Sequence, residues 1–160
     1  MLEKIISGGQ TGVDRAALDF ALQKEIIAGG WCPKGRRAED GVIPRHYPLE
    51  ETHRSDYPYR TLLNVKDSDG TLILFYGQLS GGSALTLRLA KDHLMPCMLV
   101  DLSRGCDPVE TAEWIERNRI RVLNVAGPRE SENKGIHRLA MQFLLGLHHV
   151  VLGGFASKPP

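Results

Sequence analysis

Three times along this chain of 160 residues, an apolar run ends at glycine and passes straight into a helical pattern. Lys4 to Ser7 leads into Gly8-Gly9-Gln10-Thr11-Gly12, and Val13, Ala17, Leu18, Ala21 and Leu22 then repeat at helical spacing. Thr71 to Tyr76, the strongest strand signal, leads into Gly77-Gln78-Leu79-Ser80-Gly81-Gly82 and a helix from Ser83 to about His93. Arg121 to Val125 leads into Gly127-Pro128-Arg129-Glu130-Ser131, ahead of a long helix over about Lys134 to Leu152. Strands that alternate with helices in this way can bury both only in a mostly parallel sheet with helices on both faces. The expected fold is therefore α/β, a Rossmann-like three-layer open sheet. Right-handed crossovers then put every strand-to-helix turn on one edge, where such sheets bind ligands.

Other elements fill the scheme. Ile26 to Trp31 and Pro96 to Leu102 read as strands, Asp14 to Glu25 and Tyr59 to Lys66 as helices. A further helix runs from Pro108 to about Asn118, with Asp107 as its cap. Residues 33–58 show no clear periodicity and carry Pro33, Pro44, Pro48 and Pro58, so they read as a long loop, either a lid or side wall of the site or a surface excursion packed on the core. The expected organisation is one domain over 1–153, with 154–160 as a tail.

Composition narrows the classes of function. The net charge is +1 and aromatics are 6%, which disfavours nucleic acid and membrane partners. Three cysteines without short spacing argue against disulfides and zinc, and fit a cytoplasmic protein. The six histidines form no ligand motif, so no protein-held metal is expected. Cys106 precedes a helix N-terminus, where thiol pKa values fall, but no base stands near it in sequence.

The chemistry lies in the three turns. A glycine-rich turn at a helix start presents free N–H groups and the positive end of the helix dipole, which suits phosphate. Gly8, Gly9, Gln10, Thr11 and Gly12, with Arg15 just beyond, make the first candidate. Asp14 in the same turn either serves the helix end or faces the crevice, where it would hold a hydroxyl, an N–H edge or a metal-bound water. Gly77, Ser80, Gly81, Gly82, Ser83 and Thr86 make the second candidate. Gly127, Arg129, Glu130 and Ser131 make the third, with Arg129 suited to gripping phosphate or carboxylate. Lys34 in the long loop and Arg60 in the helix after it are the cations placed best to reach a ligand.

Several motifs also carry a resemblance. Ser7-Gly8-Gly9-Gln10-Thr11-Gly12-Val13-Asp14-Arg15, Gly30-Trp31-Cys32-Pro33-Lys34-Gly35, Ser80-Gly81-Gly82-Ser83-Ala84-Leu85-Thr86 and Asn124-Val125-Ala126-Gly127-Pro128-Arg129-Glu130-Ser131 are similar, in order, to motifs of the molybdenum cofactor carrier family. That family is Rossmann-like and related to the lysine-decarboxylase-like nucleoside-monophosphate phosphoribohydrolases. The resemblance implies a homo-oligomeric carrier of molybdopterin, a pterin dithiolene ending in phosphate. It assigns phosphate binding to Gly8, Gly9, Thr11 and Gly12 and to Ser80, Gly81, Gly82 and Thr86. The alternative is a nucleotide hydrolase of the phosphoribohydrolase type. Those enzymes carry a glutamate after their second glycine motif, whereas Leu85-Thr86-Leu87-Arg88-Leu89 stands here. Without that acid or base, the expectation tilts from hydrolysis towards binding.

Overall fold

The computed structural model describes residues 2–153. The expected tail, 154–160, lies outside the described residues. In chain order the elements are β1 (Lys4–Ile6), α1 (Val13–Gln23), β2 (Ile27–Gly29), β3 (Trp31–Cys32), β4 (Arg37–Ala38), β5 (Gly41–Val42), β6 (Glu50–Glu51), α2 (Tyr57–Lys66), β7 (Gly70–Phe75), α3 (Gly81–Asp92), β8 (Cys97–Asp101), α4 (Pro108–Arg117), β9 (Val122–Ala126) and α5 (Ile136–Gly153).

Five strands form one sheet in the order β2-β1-β9-β7-β8, and all its pairings are parallel. This is the α/β Rossmann-like sheet expected from the alternation. Its order carries a further message. Counting β9 as the first strand, then β1, β2, β7 and β8, turns it into 3-2-1-4-5, the order of a doubly wound dinucleotide fold. The chain thus has that fold with its first strand moved to the end.

Side chains alternate across the sheet. Leu72 and Leu74 of β7, with Ile5, Leu123, Val125 and Val100, join the large core packed by α1, α4 and α5. Thr71, Ile73 and Asn124 point to the opposite face, the side of α3 and α2. The apolar side of α5 supplies Ile136, Ala140, Phe143, Leu144 and Leu147 to the core. Phe143, Leu144 and Leu147 of this helix are core. Leu139 instead lines a groove with Cys106 and Pro108.

The long loop is a packed excursion. Ile43, Tyr47 and Leu49 form a second core with Leu18 and Cys32. Arg36 holds it from within by donating to the carbonyls of Ile43, Pro44, Tyr47 and Leu49 at 2.9–3.2 Å. The second predicted strand stops at Gly29 because Gly30, at φ +125°, turns the chain, and a Cβ there would sit 2.3 Å from the Ser7 carbonyl. Helix α2 begins two residues earlier than predicted, because Asp56 caps it by accepting from Tyr59 N at 3.1 Å. Asp107 caps α4 as expected, accepting from Val109 N at 2.9 Å.

Candidate functional site

The carboxyl ends of β1, β9 and β7 open into a cavity of about 260 Å³. This is near the lower end of the ~300–1,000 Å³ usual for small-molecule sites, so it suits a compact group or one end of a larger ligand. It brings together the three glycine-bearing turns. Gly8, Gln10 and Asp14 come from the first, Gly81, Gly82, Ser83 and Thr86 from the second, Gly127 and Arg129 from the third. Helix α2 closes it with Tyr57, Arg60 and Asn64.

The two helix starts behave differently. Around α1 several of the N–H groups already have acceptors. Gln10 N donates to Asp14 Oδ2 at 3.1 Å, Thr11 N to Gln10 Oε1 at 3.0 Å, and Val13 N to the Pro128 carbonyl at 3.3 Å. Gly9 and Gly12 serve packing: a Cβ on Gly9 would meet Leu49 at 2.5 Å, and one on Gly12 the Pro128 carbonyl at 2.4 Å. The start of α3 is open. Ser80 stands at its cap without a side-chain capping bond, and no acceptor among the described residues takes the N–H groups of Gly81, Gly82 or Ser83. Nothing lies within 4 Å of a Cβ built on Gly82. Unsatisfied donors and dipole together make α3 the stronger anion site of the two.

Asp14 is buried and paired. Arg60 Nη1 lies 2.9 Å from its Oδ2, with the two side chains 10% and 7% exposed. Burial raises the Asp14 carboxyl above the usual carboxylate range, against the opposing pull of the Arg60 charge and the Gln10 N–H. Three lining residues keep a buried polar atom without a partner: Gln10 Nε2, Arg60 Nε and Ser83 Oγ. An orphan of this kind costs about 1–3 kcal/mol, so three around one cavity describe a site shaped for a polar guest. Three cations stand close to the Tyr57 ring, Arg60 and Arg129 each 5.5 Å and Arg37 6.0 Å from its centroid.

The other expected site residues do not line the cavity. The Thr11 hydroxyl and the Ser131 hydroxyl donate to Glu39, which also accepts from Ser131 N at 3.2 Å. Desolvation opposes ionisation of Glu39, but its bonds from Ser131 and Thr11 and the Arg129 charge hold it below the usual carboxylate range. Arg15 pairs with Asp40 at 2.5 and 2.8 Å. The Glu130 carboxylate caps the start of α5 through Gly135 N and His137 N. Gly77 N donates to Asp101 at 2.8 Å, and the backbone N–H of Lys34 to the Arg54 carbonyl at 2.8 Å. The Cys106 thiol is pushed up by burial and by Asp101, opposite to the shift its place before a helix suggests, and it donates to the Asp101 carbonyl. Tyr57, Asn64, Asn124 and Glu132 line the cavity and were missed in sequence. The only signal for Tyr57 was Asp56-Tyr57-Pro58, a cap followed by proline.

A parallel sheet in this order, packed by helices, defines a Rossmann-like α/β protein. Residues 5–148 match the model of the circularly permutated YpsA SLOG family, and the chain belongs to that family. The strand order of this chain, with the first strand of the fold moved to the end, agrees with a circular permutation. Among solved structures the chain is similar to one described as a "putative molybdenum carrier protein" from Syntrophus aciditrophicus SB. The two are 49% identical with a TM-score of 0.87, over 91% of this chain and 94% of that one. No curated protein matches the chain.

Proposed function

We propose that this protein is a carrier that binds molybdopterin-based cofactor, or a similar phosphorylated pterin, in the crevice between α2, α3 and the end of β9. The observation that carries the reading is the open start of α3, where free N–H groups and an unpartnered Ser83 hydroxyl meet Arg129 across one cavity. That set suits a phosphate or another oxyanion. Tyr57 offers a flat face to a ring, and Asn64 and Asn124 offer both donors and acceptors. The 49% identity to a protein described as a molybdenum carrier supports the choice of ligand class. Each carboxylate lining the cavity is paired, Asp14 with Arg60 and Glu132 with Arg129, which favours holding a ligand over cleaving it. Asp40 and Glu39 engage Arg15, Thr11 and Ser131, so those residues support the walls of the site. No helix among the described residues is long and apolar enough to cross a membrane. We take the working protein to be cytoplasmic and homo-oligomeric.

The test is mass spectrometry of small molecules released from purified protein, combined with thermal unfolding. A bound pterin phosphate at 100 times its Kd should add about 2.7 kcal/mol. Absence of pterin from the released material, together with an unchanged Tm in its presence, would overturn the reading. One observation favours hydrolysis instead, namely Asp14 as a carboxyl of raised pKa in the cavity. Release of free base from nucleoside monophosphates by the wild type, lost in Asp14→Asn, would establish it.

A further inference from the structure

Glu132 stands where an incoming anion would go. Its carboxylate lies 3.5 Å from Arg129 Nε, and a Cβ built on Gly81 would meet its Oε1 at 3.7 Å. One negative group therefore sits between the rim cation and the open end of α3, and it lines the cavity. Its own backbone is held by a turn, with the N–H groups of Glu132 and Asn133 both donating to the Arg129 carbonyl. The side chain is 42% exposed, so it can swing out without disturbing a core. Ser83 lines the same cavity, is 3% exposed and keeps a hydroxyl without a partner, so the carboxylate leaves that donor unsatisfied.

We propose that Glu132 is an internal anion that competes with the ligand for Arg129 and the start of α3, and so sets which ligands enter. A group that gains more there than a carboxylate already gains displaces it, such as a phosphate dianion reaching the α3 N–H groups and Ser83 together. A weaker carboxylate or halide does not. The inference rests on the anion-binding reading of this cavity and adds a residue that opposes the ligand rather than gripping it. It also gives the empty carrier a neutralised rim, since Arg129 is paired before any ligand arrives.

The experiment is a titration of inorganic phosphate into the full chain, monitored by backbone amide NMR and calorimetry, in wild type, Glu132→Gln, Glu132→Ala and the remote surface control Glu116→Gln. In both Glu132 variants phosphate should bind about tenfold more tightly, with the shifts centred on Gly81, Gly82 and Ser83. Acetate, which leaves the wild type unchanged, should begin to bind them. Glu116→Gln should match the wild type, which separates a local effect from a change in net charge. Equal or weaker phosphate binding in the Glu132 variants, with binding at these amides intact in the wild type, overturns this inference and leaves the anion site standing. Weaker binding is also what a Glu132 that merely positions Arg129 would give. Phosphate shifts at none of these amides, in any variant, would overturn both the inference and the reading beneath it.

Discussion

Arg60 occupies the space a side chain at Gly8 would need: a Cβ on Gly8 would lie 1.4 Å from Arg60 Nη1. The glycine thus makes room for a protein cation that reaches Asp14, and the buried ion pair depends on it. Gly8→Ala leaves the backbone allowed but drives Arg60 off Asp14. We expect a loss of about 2–4 kcal/mol, because separating a buried pair strands a charge. Urea unfolding checks it, and Arg60→Met should cost a similar amount.

Asp14 should also set a pH dependence. Its folded pKa is raised, so the folded state holds its proton more tightly than the unfolded chain. The stabilisation is full below the unfolded value near 3.8 and is lost as pH rises through the folded pKa. Asp40 runs the other way. Arg15 holds it below the usual range, so its smaller contribution is present at neutral pH and lost in acid. The stability difference between wild type and Asp14→Asn, measured by urea from pH 3 upward, should therefore shift against the wild type as pH rises, whereas Asp40→Asn should flatten the acid limb.

Two glycines that look alike in sequence should respond in opposite ways. Gly12 has φ +80° and would place a Cβ 2.4 Å from the Pro128 carbonyl, so Gly12→Ala should destabilise by about 3 kcal/mol or more. Gly82 lies in the first turn of α3 with open space around it, so Gly82→Ala should be neutral or stabilising by up to about 1 kcal/mol. Thermal and urea unfolding of the two variants decide the matter.

Arg129 and Tyr57 should separate charge from ring contact. Arg129→Gln should weaken binding of a phosphorylated pterin about tenfold or more, since a charge-assisted bond is lost at the rim. Tyr57→Phe should bind like the wild type, and Tyr57→Ala should lose ring stacking and with it about 1 kcal/mol. Calorimetry with phosphorylated and dephosphorylated pterin tells the two effects apart.

Glu39 joins the long loop to the first and third turns through Thr11 and Ser131. Glu39→Gln should cost about 1 kcal/mol and speed proteolytic cutting within residues 33–58, which limited digestion measures.

The sheet was legible because its signals are local. Apolar runs such as Leu72 to Phe75 make strands, proline after a cap opens α4, and alternation of strand and helix leaves one edge for the turns. Strand order was not legible, because β9 sits between β1 and β7 for reasons of packing across the whole molecule. The second core was hidden too, since Ile43, Tyr47 and Leu49 have no common period and meet only through turns. At the site, the glycine motifs located the crevice but not the division of labour within it. Gly9, Gly12 and Gly127 are small because protein packs against them, whereas Gly82 of α3 leaves open space in the cavity. Tyr57 and Asn64 come from a helix whose own pattern carries no chemical signature.

The pairing of β1 with β9 also fixes when this protein can first act. One side of the cavity comes from residues 8–14 and another from residues 124–132, so its two sides are made more than a hundred residues apart. A ribosome-bound chain stopped before Val122 has the α3 start but neither Arg129 nor the strand that holds β1 beside β7. Folding must close loops of more than a hundred residues before the site exists, which slows it and leaves β1 and β7 with unpaired edges meanwhile. The cavity therefore exists only once β9 and the turn after it have been made, and a chain stopped before them lacks the Arg129 side of it.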